Sequence, residues 1–243
     1  GSTWDEAAVE KMAEISAKEA AVSGLHVTFS PMVDLVRDPR WGRVMESTGE
    51  DPLLNSRLAA AMVRGYQGEN LKEDNWRVAA CVKHFAAYGG ALAGRDYNTV
   101  DMSERQLREM YLPGYKAGLD AGAKLVMTSF NTVDGIPATG NQWLFRDVLR
   151  NEFGFEGVVI SDWGAIKELI PHGVAKDEKQ AAELAIKAGV DIEMMTTCYP
   201  DYLKELLEEG RIAETLIDEA VMRILKLKNE LGLFENPYRG ADE

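Results

Sequence analysis

The stretch "EGVVISDWGA" (residues 156–165) decides the fold class. Gly157 precedes a short apolar run, Val158 to Ile160, which predicts a buried strand. The run lacks the alternation of apolar and polar residues that a half-exposed strand has, as expected where helices cover both faces of a parallel sheet. The strand ends on a carboxylate, Asp162. The first question about function is therefore which chemical role a carboxylate has at the end of this strand.

The same pattern of an apolar run followed by an amphipathic helical segment recurs along the chain. Predicted strands at 25–31, 77–85, 123–130, 157–162 and 190–195 are each followed by one or two predicted helices. Another helix is predicted at 5–22, and Ser103 is the predicted N-cap of the helix that follows the second strand. About five βα units predict an α/β fold, either a doubly wound sheet or a barrel. Both arrangements place functional residues at the carboxyl ends of the strands.

Composition and charge exclude several classes of protein. An apolar fraction of 46% with 28% charged residues is ordinary for a soluble globular chain. No run approaches the roughly 18 apolar residues of a membrane helix, and a net charge of −13 opposes binding to nucleic acid or anionic membranes. Cys81 and Cys198 have no CxxC or histidine spacing and are expected to be buried free thiols.

Charged and aromatic residues lie at or just after the carboxyl ends of three of the predicted strands. They are Arg43, Lys83 with His84, and Asp162 with Trp163. Each residue alone is equally compatible with a solvated or salt-bridged loop. Together they indicate a polar site at one end of the sheet, in which a carboxylate has cationic neighbours.

The familiar motifs of other chemistries are missing. The sequence has no GxGxxG after a strand, no GxxxxGK[ST], no HExxH and no GxSxG. The three histidines are scattered, so neither a catalytic metal nor a cofactor is expected.

Several longer motifs closely resemble glycoside hydrolase family 3, in particular its bacterial β-glucosidases. They are "DPRWGRVMESTGEDP", "KHFAAYG", "GRDYNTVDMSERQLREMYLPGYKAGLDAG" and "GVVISDWGAIKELI". The resemblance implies a TIM-barrel, (β/α)8, fold of which this chain would supply about strands four to eight. It also implies a retaining hydrolase that removes terminal non-reducing β-D-glucosyl residues from oligosaccharides or aryl β-glucosides, with β-xylosidase as the alternative.

The resemblance also implies a role for each site residue. Asp162 would be the nucleophile of a double displacement, and ionised donors such as Arg43, Lys83 and His84 would bind sugar hydroxyls. Adjacent residues of a regular strand point to opposite faces, so a strained or cis peptide is expected between Lys83 and His84 if both reach the sugar. Trp163 would stack on a sugar ring or else pack as a core tryptophan. Met127 and Phe130 would line the first sugar subsite or else the core. Asp96 would support the site by keeping Lys83 charged, or else be a surface carboxylate.

Family members have parts that this sequence does not supply. The acid/base carboxyl comes from a separate α/β-sandwich domain or from a loop with an Asp-x-His motif, and "AAYGGALAGRDYN" lacks that motif. We expect residues 1–4 to be a cloning remnant or leader, 5–236 to be the partial barrel domain and 237–243 to begin an interdomain linker. The missing front segment and second domain would be partners of this chain. Similar enzymes are often periplasmic or secreted, although no signal sequence is present here and a cytoplasmic location stays open.

Two other functions stay open at the level of sequence. Lys83 would serve as the Schiff-base amine of an aldolase-like lyase, which adjacent carboxylates would disfavour. Alternatively, the chain is a non-catalytic fragment that forms a homodimer through its open sheet edges, because five units cannot close an eight-stranded barrel.

Overall fold

The computed structural model describes residues 1–241, and its strands form two sheets. The strands are β1 (Val27–Thr28), β2 (Ala79–Phe85), β3 (Thr99–Val100), β4 (Leu125–Thr128), β5 (Thr132–Val133), β6 (Ile136–Pro137) and β7 (Val158–Ile160). Four of them form a parallel sheet in the order β1–β2–β4–β7, and the other three form a smaller sheet in the order β3–β5–β6, with a parallel and an antiparallel pair. The predicted parallel α/β sheet is therefore confirmed.

One helix precedes the larger sheet, and the others follow its strands along the chain. They are α1 (Glu6–Val22), α2 (Pro52–Gln67), α3 (the consecutive pieces Glu104–Gln106, Leu107–Tyr111 and Leu112–Asp120), α4 (Trp143–Glu152), α5 (Glu178–Ala188), α6 (Cys198–Glu208) and α7 (Glu214–Glu230). The Ser103 hydroxyl accepts from the Gln106 N–H at 3.2 Å, which confirms the predicted N-cap. The middle piece of α3 is π-helical, because Pro113 has no N–H to donate one turn back. The segment labelled α4 is also π-helical.

Strand β7 is buried on both faces. Val159 packs in the large apolar cluster that the helices form with the sheet. Val158 and Ile160 pack on the opposite side with Leu125 and with Leu227 of α7. A strand enclosed in this way has no face that requires polar residues, and this explains the uninterrupted apolar run.

The last predicted strand, 190–195, is nearly absent. Ile192 makes only a single parallel bridge to Ile160, and the chain turns away at Met195, which has a φ of 63°. The β5–β6 hairpin was not predicted, although its turn, Asp134–Gly135, has positive φ at both residues and carries the Asp-Gly signal of a tight hairpin.

Two further features bear on the sequence predictions. None of the helices described within residues 1–241 combines the length and the apolarity needed to cross a bilayer. In the predicted linker, the Arg239 guanidinium is buried and donates to the carbonyls of Leu231 and Asp74, and residues 242 and 243 lie outside the described residues.

Candidate active site

Asp162 lies just beyond the carboxyl end of β7 and is 9% exposed. Its own N–H points to the Thr128 hydroxyl at 3.3 Å, and its Oδ1 accepts from the Trp163 N–H at 2.6 Å. Its second oxygen, Oδ2, is buried and accepts no hydrogen bond from the described residues. One oxygen is thus fixed by the backbone while the other is free to react.

His84 on β2 faces this free oxygen. Its Nε2 lies 3.3 Å from Asp162 Oδ2 and 3.4 Å from Arg43 Nη1. The peptide bond between Lys83 and His84 is cis, as expected, and the bond between Phe85 and Ala86 is also cis. The structure therefore brings three of the predicted residues, Arg43, His84 and Asp162, to one place.

Arg43 is held by a carboxylate that the sequence analysis missed. Its Nε and Nη2 donate to the two oxygens of Glu46 at 2.7 and 2.8 Å. The hydrogen bonds from Arg43 lower the pKa of Glu46, and the positive charge of Lys83 lowers it further. Lys83 therefore belongs to the same electrostatic cluster. The spacing of three residues between Arg43 and Glu46 was the available signal.

A second missed carboxylate, Asp34, is completely buried behind His84. Its Oδ2 lies 2.7 Å from His84 Nδ1. The available signal was a charged residue inside the apolar run "PMVDLV" directly after the first strand. Such a residue is seldom buried without a partner.

The prediction that Asp96 pairs with Lys83 is wrong. Among the ion pairs of residues 1–241 none joins the two, and Asp96 Oδ1 instead accepts from Trp41 Nε1 at 3.0 Å. The cause is the loop before Asp96, where Gly94 has a φ of 66° and lies against the backbone of Trp41. A β-carbon on Gly94 would come within 2.6 Å of the Trp41 nitrogen, so only glycine allows this approach.

The three apolar residues predicted to contact the sugar lie in different environments. The Trp163 side chain is 63% exposed at the site, so the alternative of a core tryptophan is wrong. Phe130 is 5% exposed and packs against Tyr97, with ring centroids 4.4 Å apart and ring planes tilted by 40°. Met127 packs in the core cluster with Val158, and its role in a sugar subsite stays a prediction.

Two more groups were missed beside Asp162. Burial raises the pKa of Glu168, and the negative charge of Asp162 raises it further. The pKa of Tyr97 is raised by burial and then by the charges of Glu168, Asp96 and Asp162. Within residues 1–241, no three His, Cys, Asp or Glu side chains gather closely enough to hold a metal ion.

A carboxylate, an imidazole and a guanidinium at the carboxyl ends of parallel strands are placed as catalytic groups are in (β/α)8-barrel enzymes. The model of the glycosyl hydrolase family 3 N-terminal domain matches residues 1–227, and the chain belongs to that family. The predicted family and its TIM-barrel fold class are therefore confirmed.

Relatives cover almost the whole chain. A periplasmic beta-glucosidase of Salmonella typhimurium is 48% identical over 237 residues, which are 98% of this chain and 31% of the relative. A beta-xylosidase of Formosa agariphila is 38% identical over 252 residues, which are 99% of this chain and 35% of the relative. The solved structure of a mutant beta-glucosidase from Listeria innocua in complex with laminaribiose has a TM-score of 0.97 and 65% identity, covering 98% of this chain and 33% of the other. The chain spans about a third of the length of these relatives.

Proposed function

We propose that this chain forms part of a retaining glycoside hydrolase that releases terminal non-reducing β-D-glucosyl residues. The observation that carries the proposal is the buried, unpartnered Oδ2 of Asp162, which lies 3.3 Å from His84 Nε2. A retaining enzyme needs a carboxylate with an oxygen free to attack the anomeric carbon. The attack forms a glycosyl ester on Asp162 while an acid protonates the departing oxygen. Water then hydrolyses the ester with the same group acting as base.

The cationic cluster suits the binding of sugar hydroxyls. Arg43 and Lys83 supply charged donors, and His84 presents its Nε2 atom beside the nucleophile as an acceptor for a sugar hydroxyl. Hydrogen bonds from charged donors that tighten as the transition state forms lower the barrier rather than merely the KM. Trp163 supplies an exposed aromatic face at the rim of the site, on which a sugar ring stacks.

Glucose is the proposed sugar because of the relatives. The Salmonella relative is a beta-glucosidase, and the Listeria structure contains laminaribiose. β-Xylosidase is the alternative, favoured by the relative from Formosa. A periplasmic or secreted location is proposed because the Salmonella relative is a periplasmic beta-glucosidase.

We propose that the rest of the enzyme covers the exposed edge of the sheet and supplies the acid/base carboxyl. The first edge of the larger sheet carries exposed apolar residues, Leu25 and Phe29, and α7 exposes Val221, Met222 and Leu225. Further βα units, or a second copy of this chain, would cover these surfaces. The acid/base carboxyl would come from a separate α/β-sandwich domain.

Covalent labelling tests the proposed nucleophile. The chain and the full-length protein are incubated with an activated 2-deoxy-2-fluoro-β-glucoside, whose good leaving group makes the acid unnecessary, and are analysed by intact mass and peptide mapping. We expect one adduct, on the peptide that contains Asp162, and none in the Asp162→Asn variant.

The outcomes separate the alternatives. Labelling of the full-length protein at another residue, or of the Asn variant, would overturn the assignment of Asp162. If the fluoro-xyloside labels faster than the fluoro-glucoside, the protein is a β-xylosidase instead. If a carbonyl substrate is trapped on Lys83 by borohydride, an aldolase-like reaction replaces the proposed hydrolysis.

A further inference from the structure

The Asp34 carboxylate accepts hydrogen bonds from three directions in the interior of the protein. It lies 2.7 Å from His84 Nδ1 and 3.2 Å from the His84 backbone nitrogen. The Tyr115 hydroxyl donates to Oδ1 at 2.7 Å. Asp34 is 0% exposed and His84 is 1% exposed, so water does not compete for these contacts.

These contacts determine which ring nitrogen of His84 carries a proton. A carboxylate oxygen only accepts, so an Nδ1 that lies 2.7 Å from it carries a hydrogen. In a neutral imidazole the other nitrogen is then unprotonated. That nitrogen, Nε2, faces Asp162 Oδ2 and Arg43 Nη1 on the open side of the ring.

We propose that Asp34 is a positioning residue, which keeps the proton of His84 on Nδ1 and holds the ring so that Nε2 faces Asp162. This inference rests on the proposed function for its catalytic consequence, because Nε2 would contact the sugar. It extends the site by a residue that reaches neither sugar nor nucleophile. Asp34 acts only through His84.

Tyr115 completes the arrangement from the helical side. The hydroxyl of this α3 residue lies 2.5 Å from the carbonyl of His84 as well as 2.7 Å from Asp34. Burial raises the pKa of Tyr115 well above its ordinary value, so the hydroxyl stays a donor. Tyr115 therefore fixes the carboxylate, while the carboxylate fixes the imidazole. Removing the hydroxyl leaves the contact between Asp34 and Nδ1 in place.

Nitrogen-15 NMR of the imidazoles tests the proton position without any catalysis. The chain has three histidines, and a His84→Gln variant assigns the signal of interest. We expect His84 Nδ1 to resonate as a protonated nitrogen in the wild-type chain and in Tyr115→Phe. In Asp34→Asn, where an amide can present its NH₂ group to the ring, we expect the Nδ1 signal to move. An unprotonated Nδ1 in the wild-type chain would overturn the proposal.

Kinetics of the full-length protein test the consequence. Asp34→Asn is expected to lower kcat/KM for an aryl β-glucoside about 10- to 100-fold, the usual effect of losing a hydrogen bond to a charged group. In a His84→Ala background the same substitution is expected to cost nothing further, since Asp34 acts through the imidazole. Tyr115→Phe is the matched control and is expected to lose less than Asp34→Asn.

The two readouts keep the proposal separate from the function on which it rests. Equal losses from Asp34→Asn with and without His84 would refute the positioning role and indicate a general loss of folding. A protein with no glycosidase activity would refute the proposed function, while the NMR spectrum would still decide where the proton lies.

Discussion

Asp191 is the carboxylate whose removal tests how the end of the sheet is held together. Its side chain is 1% exposed and accepts from Arg150 Nη2 at 3.0 Å, Arg223 Nη1 at 2.9 Å and the Val159 N–H at 2.8 Å. It thereby joins α4, α7 and β7. The perturbation is Asp191→Ala, which leaves both guanidinium groups in place without their shared partner.

Burial already works against these charges. It lowers the pKa of Arg150 to about 10, and it raises the pKa of Asp191, although Arg150 opposes that shift. In the folded state, therefore, the ion pair does not fully offset the free-energy cost of removing Arg150 and Asp191 from water. Removing one partner of a buried ion pair costs about 3–5 kcal/mol. Arg223 keeps its contact with Glu219 at 3.2 Å, so we expect the lower end, about 3 kcal/mol.

The assay is the unfolding of the 243-residue chain by urea and by heat, monitored by circular dichroism. A loss of about 3 kcal/mol lowers the Tm by roughly 6–12 °C in a domain of this size. Glu219→Ala is the matched control, because Glu219 pairs with the same Arg223 but its side chain is 45% exposed. Its removal should cost less than about 1 kcal/mol. If Asp191→Ala cost no more than this control, the reasoning from burial would be refuted.

Three further predictions concern packing, reactivity and association. Gly157→Ala should destabilise the chain by about 1–3 kcal/mol in the same unfolding assay, because its β-carbon would meet the Lys124 carbonyl oxygen at 2.3 Å. The control is Gly42→Ala, where nothing lies within 4 Å of the added β-carbon and φ is not left-handed, and it should change the stability by about 1 kcal/mol or less. Cys81 and Cys198 are buried, and burial raises the pKa of Cys198 to about 12. Neither thiol should therefore react with iodoacetamide at pH 8 until the chain is unfolded. Rapid alkylation of either thiol in the folded chain would contradict this. The isolated chain should associate through its exposed sheet edge, and light scattering that gives a monomer at micromolar concentration would refute that.

Local patterns in the sequence predicted the elements that depend on local physics. Four strands of the parallel sheet follow from short, mainly apolar runs, and the helix start at Ser103 follows from its side chain alone. Asp34 was missed because its hydrogen-bond partner, His84, is 50 positions away in the sequence. Asp96 was assigned the wrong partner because the course of its loop depends on the backbone approach at Gly94, which no composition or periodicity reveals.

The segment predicted as a fifth strand has a different structural task, and its contacts explain why the strand is so short. The Ser161 N–H donates to the Ile192 carbonyl at 2.8 Å, and the Met194 N–H donates to Ser161 Oγ at 2.8 Å. The Gly164 N–H then donates to the Met194 carbonyl at 3.0 Å. These bonds bracket Asp162 on both sides. A regular strand would direct the backbone N–H and C=O groups of Met194 towards neighbouring strands, so the early turn is what allows this segment to hold Asp162 in place.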